Sequence, residues 1–352
     1  RAAAVDGQAA PPCRFPAPVA PPRPRSRFAA CASSSAPKGL PRDVLRGLGG
    51  MLSLLLFLSM QMATAYIDGY KSISCTSDGG ECFLANDENA CTTRAFLGNR
   101  THMKFTGHAR GVRFKNTKGV QLWDPQKDLE ACDEADPIRC LKGQVLLVAD
   151  TGNKRVVAIP TSGRKVKVTI ATLPHSPQRL AMRPGSSKLY VSSYERIYSV
   201  DLAARNRAVR LEGTKWGHAT GRQGWKGLCR SSNYLFYVGG KGVYRHNLRT
   251  RKSTLFIAGT SQTKWQDCEY HEKSKKLYVL SRMGYILTAN KKGATQWFAS
   301  VPSRCAPHAV GWLSAAQRKL AVTCELSSKT TFMAIDLASG AKEKFKLPNP
   351  CG

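Results

Sequence analysis

Lys188-Leu189-Tyr190-Val191-Ser192 contains an apolar triplet that recurs along the chain. The variants are Leu146-Leu147-Val148, Leu189-Tyr190-Val191, Phe236-Tyr237-Val238, Leu277-Tyr278-Val279 and Leu320-Ala321-Val322. Their closing valines lie 43, 47, 41 and 43 residues apart. A period near this length, with β-forming residues in each unit and no helical periodicity, is typical of a β-propeller.

The unit around Leu189-Tyr190-Val191 predicts four short strands. They fall at 178–182, 188–192, 196–202 and 208–211, and Pro184-Gly185 closes the first of them with a turn. The unit around Tyr278 repeats this pattern. Four antiparallel strands make one blade, and neighbouring blades bury their apolar faces against each other.

The number of blades follows from the period. Five repeats occupy roughly residues 130–348, and one further step back lands near Phe105, followed by strand-like residues at 112–114 and 120–123. We therefore expect an all-β, six-bladed propeller over 95–352 whose first blade is degenerate, with five blades as the alternative. Ring closure is required because an open ring would leave a bare strand edge.

The segment before the propeller carries targeting features. Residues 51–65 form a short apolar run ending in Ala63-Thr64-Ala65, which predicts a secretory signal peptide cleaved before Tyr66. The run is too short to span a bilayer comfortably, and a buried strand or helix is the alternative. Residues 1–50, rich in Ala, Pro, Arg and Ser, are interpreted as translated leader or a disordered extension, with Met51 as the start.

Ten of the twelve cysteines follow the predicted signal peptide, three of them in a Cys-rich segment at 66–94. An even number in a secreted chain predicts disulfides, and no Cys-x-x-Cys pair suggests a zinc site. We expect Cys132 to pair with Cys140 and Cys305 with Cys324, and Cys351 to join the stretch at 75–91. Asn99 lies in the single glycosylation sequon.

The chain is strongly basic. It has 54 Lys and Arg against 23 Asp and Glu; residues 1–65 hold eight and two of these, which leaves 46 − 21, or +25, for the remainder. Outside the cell this charge favours an acidic glycan, an anionic surface or an acidic protein, whereas nucleic acid is not expected as a partner. We expect a monomer with no stable membrane span.

Candidate binding residues lie in the loops that lead into each blade and those between its second and third strands, because a propeller gathers these loops on one face around its channel. Tryptophan flanked by Arg and Lys suits a sugar ring with acidic groups, although such tryptophans also pack between blades. The candidates are Trp216, Trp225, Trp265, Arg179, Arg196, Lys226 and Arg282.

The same loops contain candidate metal ligands. Three histidines, His175, His218 and His308, could hold zinc with an open fourth position, and Asp150 or Asp267 could supply oxygen to calcium. No Gly-x-Ser-x-Gly elbow or phosphate-binding glycine loop is present, so the sequence offers no anchor for a serine hydrolase or a nucleotide-binding enzyme.

One stretch, Ala149-Asp150-Thr151-Gly152-Asn153-Lys154-Arg155-Val156, resembles an NHL repeat, and the chain as a whole resembles six-bladed propellers of the NHL and TolB-like superfamily. The resemblance implies that Asp150 pairs with Arg155 across the turn and that Asn153 or Gly152 adopts a left-handed conformation. Low-density-lipoprotein-receptor propellers are similar in the unit at 189–202.

Relatives of this superfamily include a peptide-amidating lyase, which implies channel zinc on histidines, and gluconolactonases, which imply calcium. Fold does not choose among these functions. We therefore expect a secreted, non-catalytic propeller that binds an acidic glycan or acidic protein, with a zinc- or calcium-dependent hydrolase or lyase as the alternative.

Overall fold

The computed structural model describes residues 70–76, 81–86, 91–96, 102–105, 114–125, 138, 140–141, 143–162, 167–183, 185–193, 196–204, 207–212, 226–239, 241–260, 264–302, 305–313, 318–326 and 329–346. The predictions for the signal peptide, Asn99, Cys132, Trp216, His218, Trp225 and Cys351 lie outside these residues. Within them, no helix is both long enough and apolar enough to cross a membrane.

The chain forms four-stranded antiparallel sheets, each from a contiguous segment. The first sheet contains β1 (Tyr70–Cys75), β2 (Glu81–Asn86), β3 (Cys91–Phe96) and β4 (His102–Phe105). The second contains β5 (Thr117–Trp123), β6 (Val145–Asp150), β7 (Arg155–Pro160) and β8 (Val168–Thr172). The third contains β9 (Arg179–Ala181), β10 (Lys188–Ser192), β11 (Ile197–Asp201) and β12 (Arg210–Leu211).

The remaining three sheets repeat this order. The fourth contains β13 (Gly227–Arg230), β14 (Tyr234–Gly239), β15 (Gly242–Asn247) and β16 (Ser253–Ala258). The fifth contains β17 (Trp265–His271), β18 (Lys276–Ser281), β19 (Tyr285–Ala289) and β20 (Thr295–Ser300). The sixth contains β21 (Ala306–Trp312), β22 (Lys319–Leu326), β23 (Lys329–Asp336) and β24 (Lys342–Lys346).

The five repeats predicted from the apolar triplets each form one of these sheets, and the triplet always lies in the second strand. The flanking residues of a triplet face one neighbouring sheet and the middle residue faces the other. Leu189 and Val191 pack toward the second sheet, for example, while Tyr190 packs toward the fourth. Strand alternation explains why the triplet is apolar throughout, since both faces of each blade are buried.

In the fourth sheet the predicted triplet is displaced by one residue. Leu235 and Tyr237, rather than Phe236 and Val238, face the preceding sheet. A shift of one residue moves every side chain of a strand to the other face. This displacement lengthens the spacing of 47 residues by one and shortens the following spacing of 41 residues by one.

The predicted position of the degenerate first blade was wrong. Residues 103–105 belong to β4, whereas Val120-Gln121-Leu122-Trp123 belongs to β5, the first strand of the sheet that carries Leu146-Leu147-Val148. The long connection at 124–144 separates β5 from its partner β6 and so hides their relation in the sequence. The strands β1 to β3 instead lie largely in the Cys-rich segment.

The first strands of the sheets surround a common axis. Each contacts the first strand of the next sheet, and β21 contacts β1. A separate hydrophobic cluster lies between every pair of neighbouring sheets, including the first and the sixth, where Ile73 packs with Phe332. The chain is therefore a β-propeller whose blades are four-stranded antiparallel sheets.

Side chains form hydrogen bonds with backbone groups at the unpaired edges of these first strands. The Ser74 hydroxyl of β1 accepts a hydrogen bond from the Leu122 backbone N–H of β5 at 3.0 Å, and the Trp312 indole N–H donates to the Tyr270 carbonyl at 3.1 Å. Buried backbone groups left without partners cost free energy, so these contacts stabilise the centre of the ring.

Three disulfides have both of their cysteines among the described residues: Cys75–Cys82, Cys229–Cys268 and Cys305–Cys324. The predicted Cys305–Cys324 pair is confirmed. Because Cys75 and Cys82 pair with each other, neither is available for the predicted bond between Cys351 and the stretch at 75–91. Cys229–Cys268 joins β13 to β17 and so crosslinks neighbouring blades.

Candidate functional site

The channel has two distinct ends. One end is formed by the residues that lead into each first strand and by the turns between second and third strands, as the sequence analysis assumed. We call this end the loop face. The opposite end carries the turns between first and second strands, and we call it the turn face.

A basic cluster lies on the loop face beside the channel. It consists of Lys226 before β13, Lys264 before β17, and Arg282 in the turn after β18, whose backbone N–H donates to the Lys264 carbonyl at 2.6 Å. Burial lowers the pKa of Lys226, and the positive charges of Arg282 and Lys264 lower it further. The cations are thus close enough to repel one another.

None of these three side chains forms an ion pair within the part of the chain that the structure describes. The adjoining sequence at 213–225 contains Lys215 and Arg222 and has no Asp or Glu. Charge repulsion without compensation costs stability, and an anionic ligand would relieve it.

Arg179, another candidate binding residue, contacts the backbone of this cluster and is nearly buried, with 7% of its surface exposed. Its Nε donates to the Lys226 carbonyl and its Nη1 to the Lys118 carbonyl, both at 2.7 Å. The guanidinium thus ties the second, third and fourth sheets together where their first strands begin. Its position fixes the backbone of Lys226, so we interpret Arg179 as a positioning residue.

The structure does not bring Trp265 to the surface. Its ring is 5% exposed and packs with Val243 and Ile257 of the fourth sheet. A strand residue that faces a neighbouring blade is buried by that blade, which excludes Trp265 as a stacking platform for a ligand. Arg196 is exposed at the third sheet, where it lies beside Tyr198.

The candidate metal ligands that lie among the described residues do not form a metal site. Asp150 is fully buried, and its carboxylate accepts hydrogen bonds from Lys115 N–H, the Asn153 amide and Arg155 Nε, the last at 2.8 Å. The implied pairing of Asp150 with Arg155 is confirmed, but the left-handed residue of the turn is Lys154, with φ 51°, and not Asn153 or Gly152.

His175 is exposed, and its Nδ1 lies 2.5 Å from the Tyr198 hydroxyl. His308 lies half-buried on β21. Within the described ranges, no group of three or more His, Cys, Asp or Glu side chains is arranged to hold a metal ion. The zinc or calcium site therefore has no geometric support from these residues, and a contribution of His218 stays a prediction.

Two carboxylates lie deep in the channel, on β17. Asp267 and Glu269 are two residues apart and so lie on the same face of the strand. They border an axial cavity of about 310 Å³, lined by residues from the first strands of all the sheets. Asp267 accepts hydrogen bonds from the Cys268 and Val310 backbone N–H groups, each at 3.0 Å.

Burial raises the pKa of both carboxyl groups. The pKa of Asp267 rises to about 7 because of burial, although the charge of Arg179 and the two backbone hydrogen bonds to the carboxylate lower it in part. The pKa of Glu269 rises to about 8, because the like charge of Asp267 adds to burial and the Tyr270 N–H offsets it only in part. Asp267 was predicted from the sequence as a candidate metal ligand, whereas Glu269 was not, although strand alternation places it beside Asp267.

These carboxyls make stability pH-dependent. Between about pH 4 and pH 8 the folded protein retains protons that the unfolded chain has released, so the free energy of unfolding falls as pH rises through this window. Glu269→Gln keeps an oxygen for the Tyr270 N–H and removes the charge. We expect it to stabilise the protein by on the order of 2 kcal/mol at pH 9 and very little at pH 5.

Thermal or chemical unfolding across pH 5–9 measures this effect. Glu343→Gln is the matched control, because Glu343 is 53% exposed on the outer strand β24 and pairs weakly with Lys319 at 3.7 Å. A Glu269→Gln variant that follows the wild-type pH profile would show that the Glu269 carboxyl is not perturbed by burial.

Comparison with known proteins supports the architecture. No protein-family model matches the chain, and no curated protein matches it. Similar solved structures include virginiamycin B lyase from Staphylococcus aureus, at 13% identity over 81% of this chain and 86% of that chain, with a TM-score of 0.51. A streptogramin B lyase is 10% identical over 81% and 85%, with a TM-score of 0.52.

A chain of a nidogen/laminin complex is also similar, at 14% identity over 75% of this chain and 91% of that chain, with a TM-score of 0.51. At these identities the likeness establishes a fold and not a function. The class of protein is thus a β-propeller with disulfide bonds. An NHL-specific family is not established, because the motif at Asp150 occurs in a single blade.

Proposed function

We propose that the protein is a secreted six-bladed propeller that binds a polyanionic glycan through the basic cluster of Lys226, Lys264 and Arg282. The single observation that carries this proposal is the clustering of these cations beside the channel without an ion-pair partner among the described residues. The six-blade count is supported by β1, which contacts both β5 and β21. Secretion is supported by the sequence at 51–65 and by the disulfides.

A sulfated or carboxylated glycan suits this cluster better than an acidic protein does. Its charges repeat at short intervals along a flexible chain, so one molecule can neutralise several close cations. Binding then depends strongly on salt, because screening weakens exposed ion contacts. The nidogen/laminin structure makes a protein partner the alternative to be tested.

The test is a charge-matched pair of triple variants. Lys226→Gln/Lys264→Gln/Arg282→Gln removes the cluster, and Arg249→Gln/Lys342→Gln/Lys344→Gln removes the same charge from exposed positions elsewhere. We expect the first triple to bind a heparin oligosaccharide at least tenfold more weakly at 0.15 M salt and to elute from heparin resin at lower salt. The second triple should stay within twofold of wild type.

Equal weakening of both triples would contradict the proposal, because binding would then follow net charge and not this site. Poly-glutamate of matched charge provides the second arm. If it binds more tightly than the oligosaccharide and loses this affinity with the first triple, the partner is an acidic protein and the glycan assignment fails.

A further inference from the structure

A second pocket lies between the fourth and fifth sheets, on the turn face of the propeller. Its volume is about 330 Å³. The fourth sheet contributes Tyr234, Phe236, Arg245 and Phe256, and the fifth contributes Tyr270 together with Asn290 and Lys291 of the turn after β19. We call it the interblade pocket; it is separate from the basic cluster on the loop face.

Aromatic rings form one wall of this pocket. The Phe236 ring lies 5.4 Å from that of Phe256 and 5.6 Å from that of Tyr270, with which it is nearly parallel. Tyr234 lies 6.2 Å from Phe236. Phe236 is buried, while Tyr234, Phe256 and Tyr270 keep partial exposure to the pocket. Such faces suit the apolar C–H side of a ring-shaped ligand.

Arg245 packs against this wall. Its guanidinium carbon lies 5.0 Å from the centre of the Tyr234 ring and 4.8 Å from that of Phe256. Its Nη1 donates to the Lys291 carbonyl at 3.0 Å. Stacking and this hydrogen bond fix the side chain, so that little conformational entropy remains to be lost when a ligand binds.

The guanidinium keeps donors for a ligand. An arginine has five N–H donors, and the hydrogen bond to Lys291 is the only one that the Arg245 side chain makes among the described residues. Glu272 and Lys275 also line the pocket, where the Glu272 carboxylate is engaged by Lys275 at 3.3 Å and by Ser232. Arg245 therefore presents to the pocket a pre-oriented cation that has no ion-pair partner among the described residues.

We propose that the interblade pocket binds a carboxylated sugar ring, with its carboxylate on Arg245 and its apolar face on the aromatic wall. A carboxylate matches the fork of a guanidinium through two parallel hydrogen bonds. Asn233 lines the same pocket and supplies an amide group for ring hydroxyls. Asn290 also lines it and supplies its amide nitrogen, since its Oδ1 already accepts hydrogen bonds from the Lys292 and Ala294 N–H groups. The pocket volume lies at the lower end of the range for small-ligand sites, which suits a single ring.

The test measures binding of glucuronate to the full chain by calorimetry, with glucose and acetate as partial ligands. We expect glucuronate to bind at least tenfold more tightly than either, since glucose lacks the carboxylate and acetate lacks the sugar ring. Arg245→Gln should weaken glucuronate at least twentyfold. Arg245→Lys keeps the charge but loses the planar fork and should weaken it at least fivefold.

Two controls separate this site from the basic cluster and from misfolding. Arg249→Gln, in the exposed turn after β15, should leave glucuronate affinity unchanged. Arg245→Gln should weaken glucuronate at least twentyfold also in the background of the Lys226→Gln/Lys264→Gln/Arg282→Gln triple, where the basic cluster cannot contribute. Unfolding curves of the Arg245 variants verify that they fold. Acetate binding as tightly as glucuronate, or wild-type affinity in folded Arg245→Gln, would overturn the proposal.

Discussion

Replacing both Cys229 and Cys268 by alanine is expected to lower the free energy of unfolding by about 4 kcal/mol, more than the loss of either other described disulfide. The two cysteines are 39 residues apart, so their bond closes the longest of the described loops. A longer loop restricts the unfolded chain more strongly. Both side chains are also buried between the fourth and fifth sheets.

The other disulfides provide an internal scale. Cys305 and Cys324 are 19 residues apart, and Cys75 and Cys82 are 7 apart. The same entropy argument predicts losses of about 3 and 2.5 kcal/mol for their double alanine variants. Denaturant unfolding of the three variants measures the series. A Cys229/Cys268 variant no less stable than the Cys75/Cys82 variant would refute the ranking.

Gly227→Ala is expected to destabilise the protein by about 3 kcal/mol or more, because there is no space for a methyl group. A Cβ atom on Gly227 would lie 2.6 Å from the Asp267 Oδ1 and 2.7 Å from the Asp267 Cα. The carboxylate could rotate away, but the Cα cannot. The Cys229–Cys268 disulfide, two residues along β13, prevents the strands from separating.

Gly259→Ala is the matched control, since its nearest neighbour would lie at 3.2 Å and small shifts can accommodate it. We expect a cost of less than about 1 kcal/mol there. The measurement is again the free energy of unfolding, accompanied by the pH profile, because displacement of the Asp267 carboxylate should alter its titration. Equal stability of the two variants would mean that β13 and β17 can move apart freely.

The sequence predicted much of the architecture for a definite reason. A blade buried on both faces needs a continuous apolar second strand, and that requirement recurs at each period as the Leu-Tyr-Val triplet. The strand at 188–192 was predicted to the residue. The first sheet also has a fully buried apolar run, Cys82-Phe83-Leu84 in β2, but it differs in sequence from the Leu-Tyr-Val triplets. The connection at 124–144 also separates β5 from β6 and takes this run out of the regular spacing, so the propeller was predicted to begin too late.

The sites were predictable in part. Lys226 and Arg282 were placed on one face because blade geometry gathers the same loops from each repeat. Trp265 was misjudged, since composition does not tell whether a tryptophan faces solvent or the next blade. Arg245 and its aromatic neighbours come from three strands, and their stacking depends on a register that periodicity alone does not supply.

Every sheet is encoded by one uninterrupted stretch, and β1 meets β21 without exchange of strands between the first and last sheets. The coding sequence is thus a series of contiguous segments, each of which encodes a sheet that is complete in its own backbone pairing. Duplication or deletion of one segment would change the circumference of the ring while leaving the backbone pairing of the remaining sheets intact. This architecture can therefore gain or lose one blade in a single genetic event.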